Sequence, residues 1–200
     1  MKGNLFVNNR TFIDEREGQI AFFNNYGIPY DNENAVLIDN TDGVYNGNIL
    51  EFKLNISNPN KTLFQAIKYL SKMRVRGESV PATILLVSLN DSTVYVYKSE
   101  DYREDIHKIY IGSASKGNDG FSAGAPIQKL NYSDMVDSAI LKKLLKGKKN
   151  LSEMYIPIDI DENCIVGWAE RYYREIPKAS KGDFLGDDTG TKTMYFILAL

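Results

Sequence analysis

Apolar positions along the chain change rhythm several times, and each change marks an element. Residues 11–25 read as a helix with Asp14, Glu15 and Glu17 in or near its first turns, where carboxylates complement the helix dipole. Gly27 and Pro29 end it. Residues 35–45 and 48–54 read as two strands separated by Asn46-Gly47, the strongest short-range hairpin signal. A second helix is predicted over 60–76, because Leu63, Ala66, Ile67, Leu70 and Met73 recur at the spacing of one buried stripe, and Gly77 stops it. Residues 82–89 are almost unbroken apolar, as expected of a strand covered on both faces. Residues 93–98 return beside it across Asn90-Asp91-Ser92.

This pattern breaks at 112–126, a loop rich in Gly, Ser and Ala. Beyond it the pattern predicts a short strand at 127–130 and helices at 133–146 and 162–175. Asp161 is the expected cap of the last helix, with Cys164, Ile165 and Trp168 on its buried side. The apolar end, 193–200, reads as a buried strand and suggests a chain cut from something longer. The organisation is an α/β core over 1–111, followed over 112–200 by a loop and a C-terminal extension packing on it.

Composition narrows the chemistry. A chain of 200 residues can bury roughly 70% of its unfolded surface and needs no staple. Its single cysteine, Cys164, and single histidine, His107, exclude an intrachain disulfide and every zinc pattern built on Cys/His pairs. His107 reads as a surface residue. Carboxylates are then the expected reactive groups, and hard cations with oxygen ligands the expected metals. A formal charge of −2 argues against a basic coat, although Lys142, Lys143, Lys146, Lys148 and Lys149 form a local cluster that reads as a solvated helix end. The N-terminus lacks a signal-peptide stretch, and no apolar run is long enough to span a bilayer, so a cytoplasmic protein without membrane attachment is expected.

One stretch combines these clues. With a two-residue turn at Asn46-Gly47, Tyr45 faces Asn48, Val44 faces Ile49, and Asp42 falls opposite Glu51, at the ~5 Å Cβ separation of directly paired residues. Lys53 shares the face of Glu51, while Leu50, Phe52 and Leu54 point the other way, into the core. Opposed carboxylates weaken a sheet unless something compensates them. A Mg²⁺ ion, with Mn²⁺ as its substitute, does so, and a lysine beside it can orient water and stabilise phosphate charge.

Asp42 followed by Glu51-x-Lys53 resembles the core motif of the PD-(D/E)xK nucleases, which carry these residues on a central hairpin between two helices. Residue 41 is Thr41 where the motif often has proline. Gln65 and Tyr69 match the QxxxY element of the RecB-like branch. The resemblance implies a restriction-endonuclease-like fold with Asp42, Glu51 and the Phe52 carbonyl on the metal, Lys53 positioning the attacking water, and Gln65 and Tyr69 in support. It also implies a further carboxylate from the first helix. Glu17 is the candidate, because it is taken to share a face with Ile13, Ile20 and Ala21, and Glu15 is the alternative. Residues 27–188 are also similar to the amino-terminal region of bacterial restriction-modification polypeptides, in which a nuclease precedes an adenine methyltransferase. No Asn-Pro-Pro-Tyr motif occurs, so DNA cleavage is expected here and methylation and target recognition elsewhere. The rivals are a catalytically inactive DNA-binding or docking module of the same fold, and a purely structural domain. The Asp159, Asp161, Glu162 group and Asp187-Asp188 read as cap and loop residues.

Overall fold

A computed structural model describes residues 11–30, 43–110 and 120–158. In chain order it contains α1 (Glu15–Tyr26), β1 (Val44–Tyr45), β2 (Asn48–Lys53), α2 (Pro59–Val75), β3 (Val80–Pro81), β4 (Thr83–Ser88), β5 (Thr93–Lys98), α3 (Arg103–His107), β6 (Gln128–Asn131), α4 (Met135–Leu145), α5 (Leu151–Met154) and β7 (Tyr155–Ile156). A mixed five-stranded sheet runs in the order β1-β2-β4-β5-β6, and β3 and β7 form a separate antiparallel pair. The chain is therefore α/β with helices flanking a central sheet.

The apolar run predicted as a doubly covered strand is β4, and its alternation divides the core. Leu85, Val87 and Leu89 enter one layer with Phe22 and Phe23 of α1, Leu50 and Phe52 of β2, and Leu141 and Leu145 of α4. Ile84 and Leu86 enter the other with Ile49 and with Leu63, Ile67 and Leu70 of α2. Because β2 and β4 are parallel, α2 serves as the crossover that parallel strands require.

Most predicted boundaries move by one or two residues, whereas the start of α1 moves by four, from 11 to 15. Asp14 caps α1, Asn58 caps α2 with Pro59 in its first turn, and Asp134 caps α4 by accepting from the amides of Val136 and Asp137. Gly27 ends α1 in the left-handed conformation, at φ 66°. The expectation of a strand over 35–45 is met only at Val44–Tyr45, since its earlier part lies outside the described residues. The helix at 162–175, the strand at 193–200, Cys164, Trp168 and the acidic groups at 159–162 and 187–188 lie outside them too. Past the loop, β6 hydrogen-bonds to β5 with Leu130 opposite Val94, and α4 seals the same core layer. No helix among the described residues is long and apolar enough to cross a membrane.

Candidate active site

Local chemistry sets the hairpin. Asn46 and Gly47 both have positive φ, 48° and 74°, as the favoured two-residue turn requires. Gly47 is needed twice, because a Cβ there would lie 2.5 Å from the Met154 carbonyl oxygen. The predicted register is present: Val44 faces Ile49 and Tyr45 faces Asn48. The Leu50 amide donates to the Gly43 carbonyl at 2.8 Å, which extends the ladder by one more rung. Asp42 itself lies outside the described residues.

On β2, Phe52 turns into the α1/α4 layer, against Phe22 and Phe23 at ring separations of 5.3 and 5.5 Å. Glu51 turns to the α2 side, next to Leu86 of β4, and is 8% exposed. The Lys53 ammonium donates to the Glu51 carboxylate at 2.7 Å and to the Phe52 carbonyl at 2.9 Å, while its side chain stays 32% exposed. Two of the three oxygen groups that the resemblance gave to a cation thus converge on one positive charge. Burial raises the pKa of Glu51, and it outweighs the opposing pull of Lys53; the negative charge of Glu15 pushes it further up.

That last effect makes Glu15 the α1 carboxylate whose charge reaches Glu51. A reciprocal pair of hydrogen bonds, from the Phe12 amide to the Asn90 side-chain oxygen (2.8 Å) and from the Asn90 amide to the Phe12 carbonyl (3.2 Å), ties the start of α1 to the end of β4. Gly18 fits against Leu89 there, where a Cβ would sit 2.5 Å from a methyl carbon. This docking brings Glu15, half-buried and hydrogen-bonded by Gln19, into electrostatic range of Glu51. Glu17 is exposed instead. Of the face expected around Glu17, Ile13 is 91% exposed, whereas Ile20 and Ala21 are half-buried; the helix buries Gly18, Phe22 and Phe23.

No family model, curated protein or solved structure matches this chain. The site's chemistry therefore rests on its own residues. Gln65 and Tyr69 are both half-buried on α2, and Tyr69 lies against the α2 core layer with the Lys72 ammonium 5.9 Å from its ring. Neither hydrogen-bonds to Glu51 or Lys53 among the described residues. His107 contributes its main-chain carbonyl to Arg74 at 3.0 Å. Among the described residues, no group of three or more His, Cys, Asp or Glu side chains is placed to hold a metal.

Two contributors escape a reading of the sequence. Ser88, on the rung of Lys53, accepts from the Ile56 amide at 3.0 Å and donates to the Asp91 carboxylate at 2.6 Å, which holds the chain leaving β2 against the end of β4. Asn90 positions α1 as described. Both lie in or beside the Asn90-Asp91-Ser92 turn, whose composition signals a turn and nothing more.

Proposed function

We propose that this chain is a Mg²⁺-dependent endonuclease domain that hydrolyses DNA phosphodiester bonds in a restriction-modification system. The observation that carries the reading is the convergence of the buried Glu51 carboxylate and the Phe52 carbonyl on the Lys53 ammonium at the end of β2. A carboxylate and a main-chain carbonyl are the oxygen donors that a hard cation takes, and a second carboxylate, Glu15, already presses on Glu51. The order of hairpin, α2 and parallel β4 also suits a restriction-endonuclease-like core.

When bound, Mg²⁺ or its substitute Mn²⁺ neutralises phosphate charge and acidifies a water. In this reading Glu51, the Phe52 carbonyl and Asp42 hold the cation. Glu15 supplies the α1 carboxylate in place of Glu17. Lys53, released from its two acceptors, orients the attacking water and offsets the charge that develops on the phosphate. Gln65 and Tyr69 flank the site from α2. Methylation and target recognition belong to other regions of the same cytoplasmic polypeptide.

The test is nicking and linearisation of supercoiled plasmid in Mg²⁺ and in Mn²⁺. Wild type should cut, whereas Asp42→Ala and Lys53→Ala should lose cleavage and keep their circular-dichroism spectra. Full activity in both variants, or a wild type inert with either metal, overturns the reading.

The bonding of Lys53 to both acceptors favours a second reading, an inactive DNA-binding or docking module in which the ammonium permanently fills the cation's place. Melting with increasing Mg²⁺ separates the two. A competent site gains about 2.7 kcal/mol at 100 times its Kd, and the module gains nothing.

A further inference from the structure

We infer that the C-terminal end of α4 and the segment after it form a docking surface for the phosphate backbone of duplex DNA, beside the turn of the hairpin that carries Glu51 and Lys53. The inference rests on the nuclease reading for its choice of DNA, and its observations are separate from that site. Lys142, Lys143, Lys146, Lys148 and Lys149 fall within eight residues of a chain whose formal charge is −2, and all five are exposed. Among the described residues their acidic ion-pair neighbour is Glu153, 3.6 Å from Lys148.

Lysines at a helix C-terminus ordinarily answer the free carbonyls of the last turn. Here three of those carbonyls are already engaged. The Leu145 carbonyl accepts from the Asn46 side-chain amide at 3.0 Å, and the Leu144 carbonyl accepts from the Asn48 side-chain amide at 3.1 Å and from the Gly147 amide at 3.1 Å. The Lys142 carbonyl accepts from the Lys146 amide at 3.1 Å. The lysines are left facing solvent as a patch of positive charge, which a polyanion would neutralise with release of counterions.

The same hydrogen bonds fix the patch relative to the candidate site. Asn46 and Asn48 bind the α4 terminus at one end of β2, and Glu51 follows three residues later on the same strand. At ~3.3 Å per residue this is ~10 Å.

Fluorescence anisotropy with a 20-base-pair duplex in EDTA, repeated across a NaCl series, tests this without any cleavage. Wild type should bind with steep salt dependence. The quadruple variant Lys142→Ala, Lys143→Ala, Lys146→Ala, Lys149→Ala should bind at least tenfold more weakly at about 100 mM salt, and the slope of log K against log salt should fall by about three to four, at ~0.9 for each phosphate no longer neutralised. The pair Lys98→Ala, Lys108→Ala, exposed elsewhere, should leave the slope unchanged. If the quadruple variant does not fold, the variants Lys142→Ala, Lys146→Ala and Lys143→Ala, Lys149→Ala should each lose about half of that slope, and the quadruple Lys→Arg variant should keep it.

A folded quadruple variant with wild-type affinity and slope overturns the inference and leaves the nuclease reading intact. A wild type that ignores duplex while these lysines bind phosphatidylserine vesicles or single-stranded RNA overturns the inference too, and counts against duplex DNA as the substrate of the nuclease reading. A wild type that binds duplex through the patch and cuts nothing overturns the nuclease reading alone.

Discussion

Phe52 and Glu51 are neighbours on one strand and almost equally buried, at 6% and 8% exposure, but they enter opposite worlds. On the α1/α4 side Phe52 meets Phe22 and Phe23 edge-on among Leu50, Leu85, Val87 and Leu89. That layer has one buried hydroxyl of note, Tyr132, which donates to the Leu89 carbonyl at 3.1 Å and lies 3.3 Å from that of Ser88. The α2 side is also well packed, through Ile49, Ile84, Leu86, Leu63 and Ile67, but it buries Glu51, Lys68, Ser71 and Arg74 as well. A sheet covered on both faces has no structural need for charge on either. On the proposed function, Glu51 therefore marks where stability is given up for chemistry.

The largest test of this contrast is Phe52→Ala. Removal of a buried phenyl from the apolar layer should cost about 3–5 kcal/mol, read from urea unfolding, because its aromatic neighbours cannot collapse into the space. A cost below about 1 kcal/mol would show that this layer is as permissive as the other. A smaller effect belongs to Tyr132→Phe, which keeps the ring and deletes its hydrogen bond to Leu89, for a loss of about 0.5–1.5 kcal/mol. An unchanged midpoint would mean that the hydroxyl is only accommodated.

The third test inverts the sign. Glu51→Gln keeps the shape and an oxygen for Lys53 but removes the buried charge. Since burial and Glu15 hold the folded-state pKa of Glu51 above its ordinary value of 4.5, the native state keeps a proton that the unfolded chain has already released. Wild type therefore loses stability relative to Glu51→Gln as pH rises from 4.5 through the folded pKa, and the difference then stays constant. Melting temperatures from about pH 4 to 8 should diverge in that direction, with the variant the more stable at neutral pH and, on the proposed function, inactive. A wild type that gains on the variant as pH rises would mean that the Lys53 ion pair outweighs desolvation.

Much of this was legible in the sequence, for local reasons. Asn46-Gly47 can hardly be anything but a tight hairpin turn, so the register that aligns Val44 with Ile49, and the separation of Glu51 and Lys53 from Leu50 and Phe52, follow from counting. The apolar stripe of α2 and the double burial of β4 are equally local statements. What counting could not supply was where one element lies against another. On the proposed function, the choice of Glu15 over Glu17 hangs on Asn90 holding Phe12, a bond across 78 residues that periodicity cannot register.

The same limit applies to the lysines. As a sequence, KKLLKGKK is a helix end dressed in charge; its meaning changed when Asn46 and Asn48, almost a hundred residues earlier, proved to satisfy the carbonyls of that end. Likewise a carboxylate and a lysine two apart on a strand predict a shared face, but not that the ammonium would reach back to the Phe52 carbonyl or that burial would win over the ion pair. The elements, their registers across tight turns and the residue types available for chemistry depend on backbone preference and side-chain period over a few residues, and so could be read along the chain. Which charges are buried, which are neighbours and which face solvent emerged only from the packed fold, because desolvation and Coulomb energy depend on distances between segments far apart in the chain.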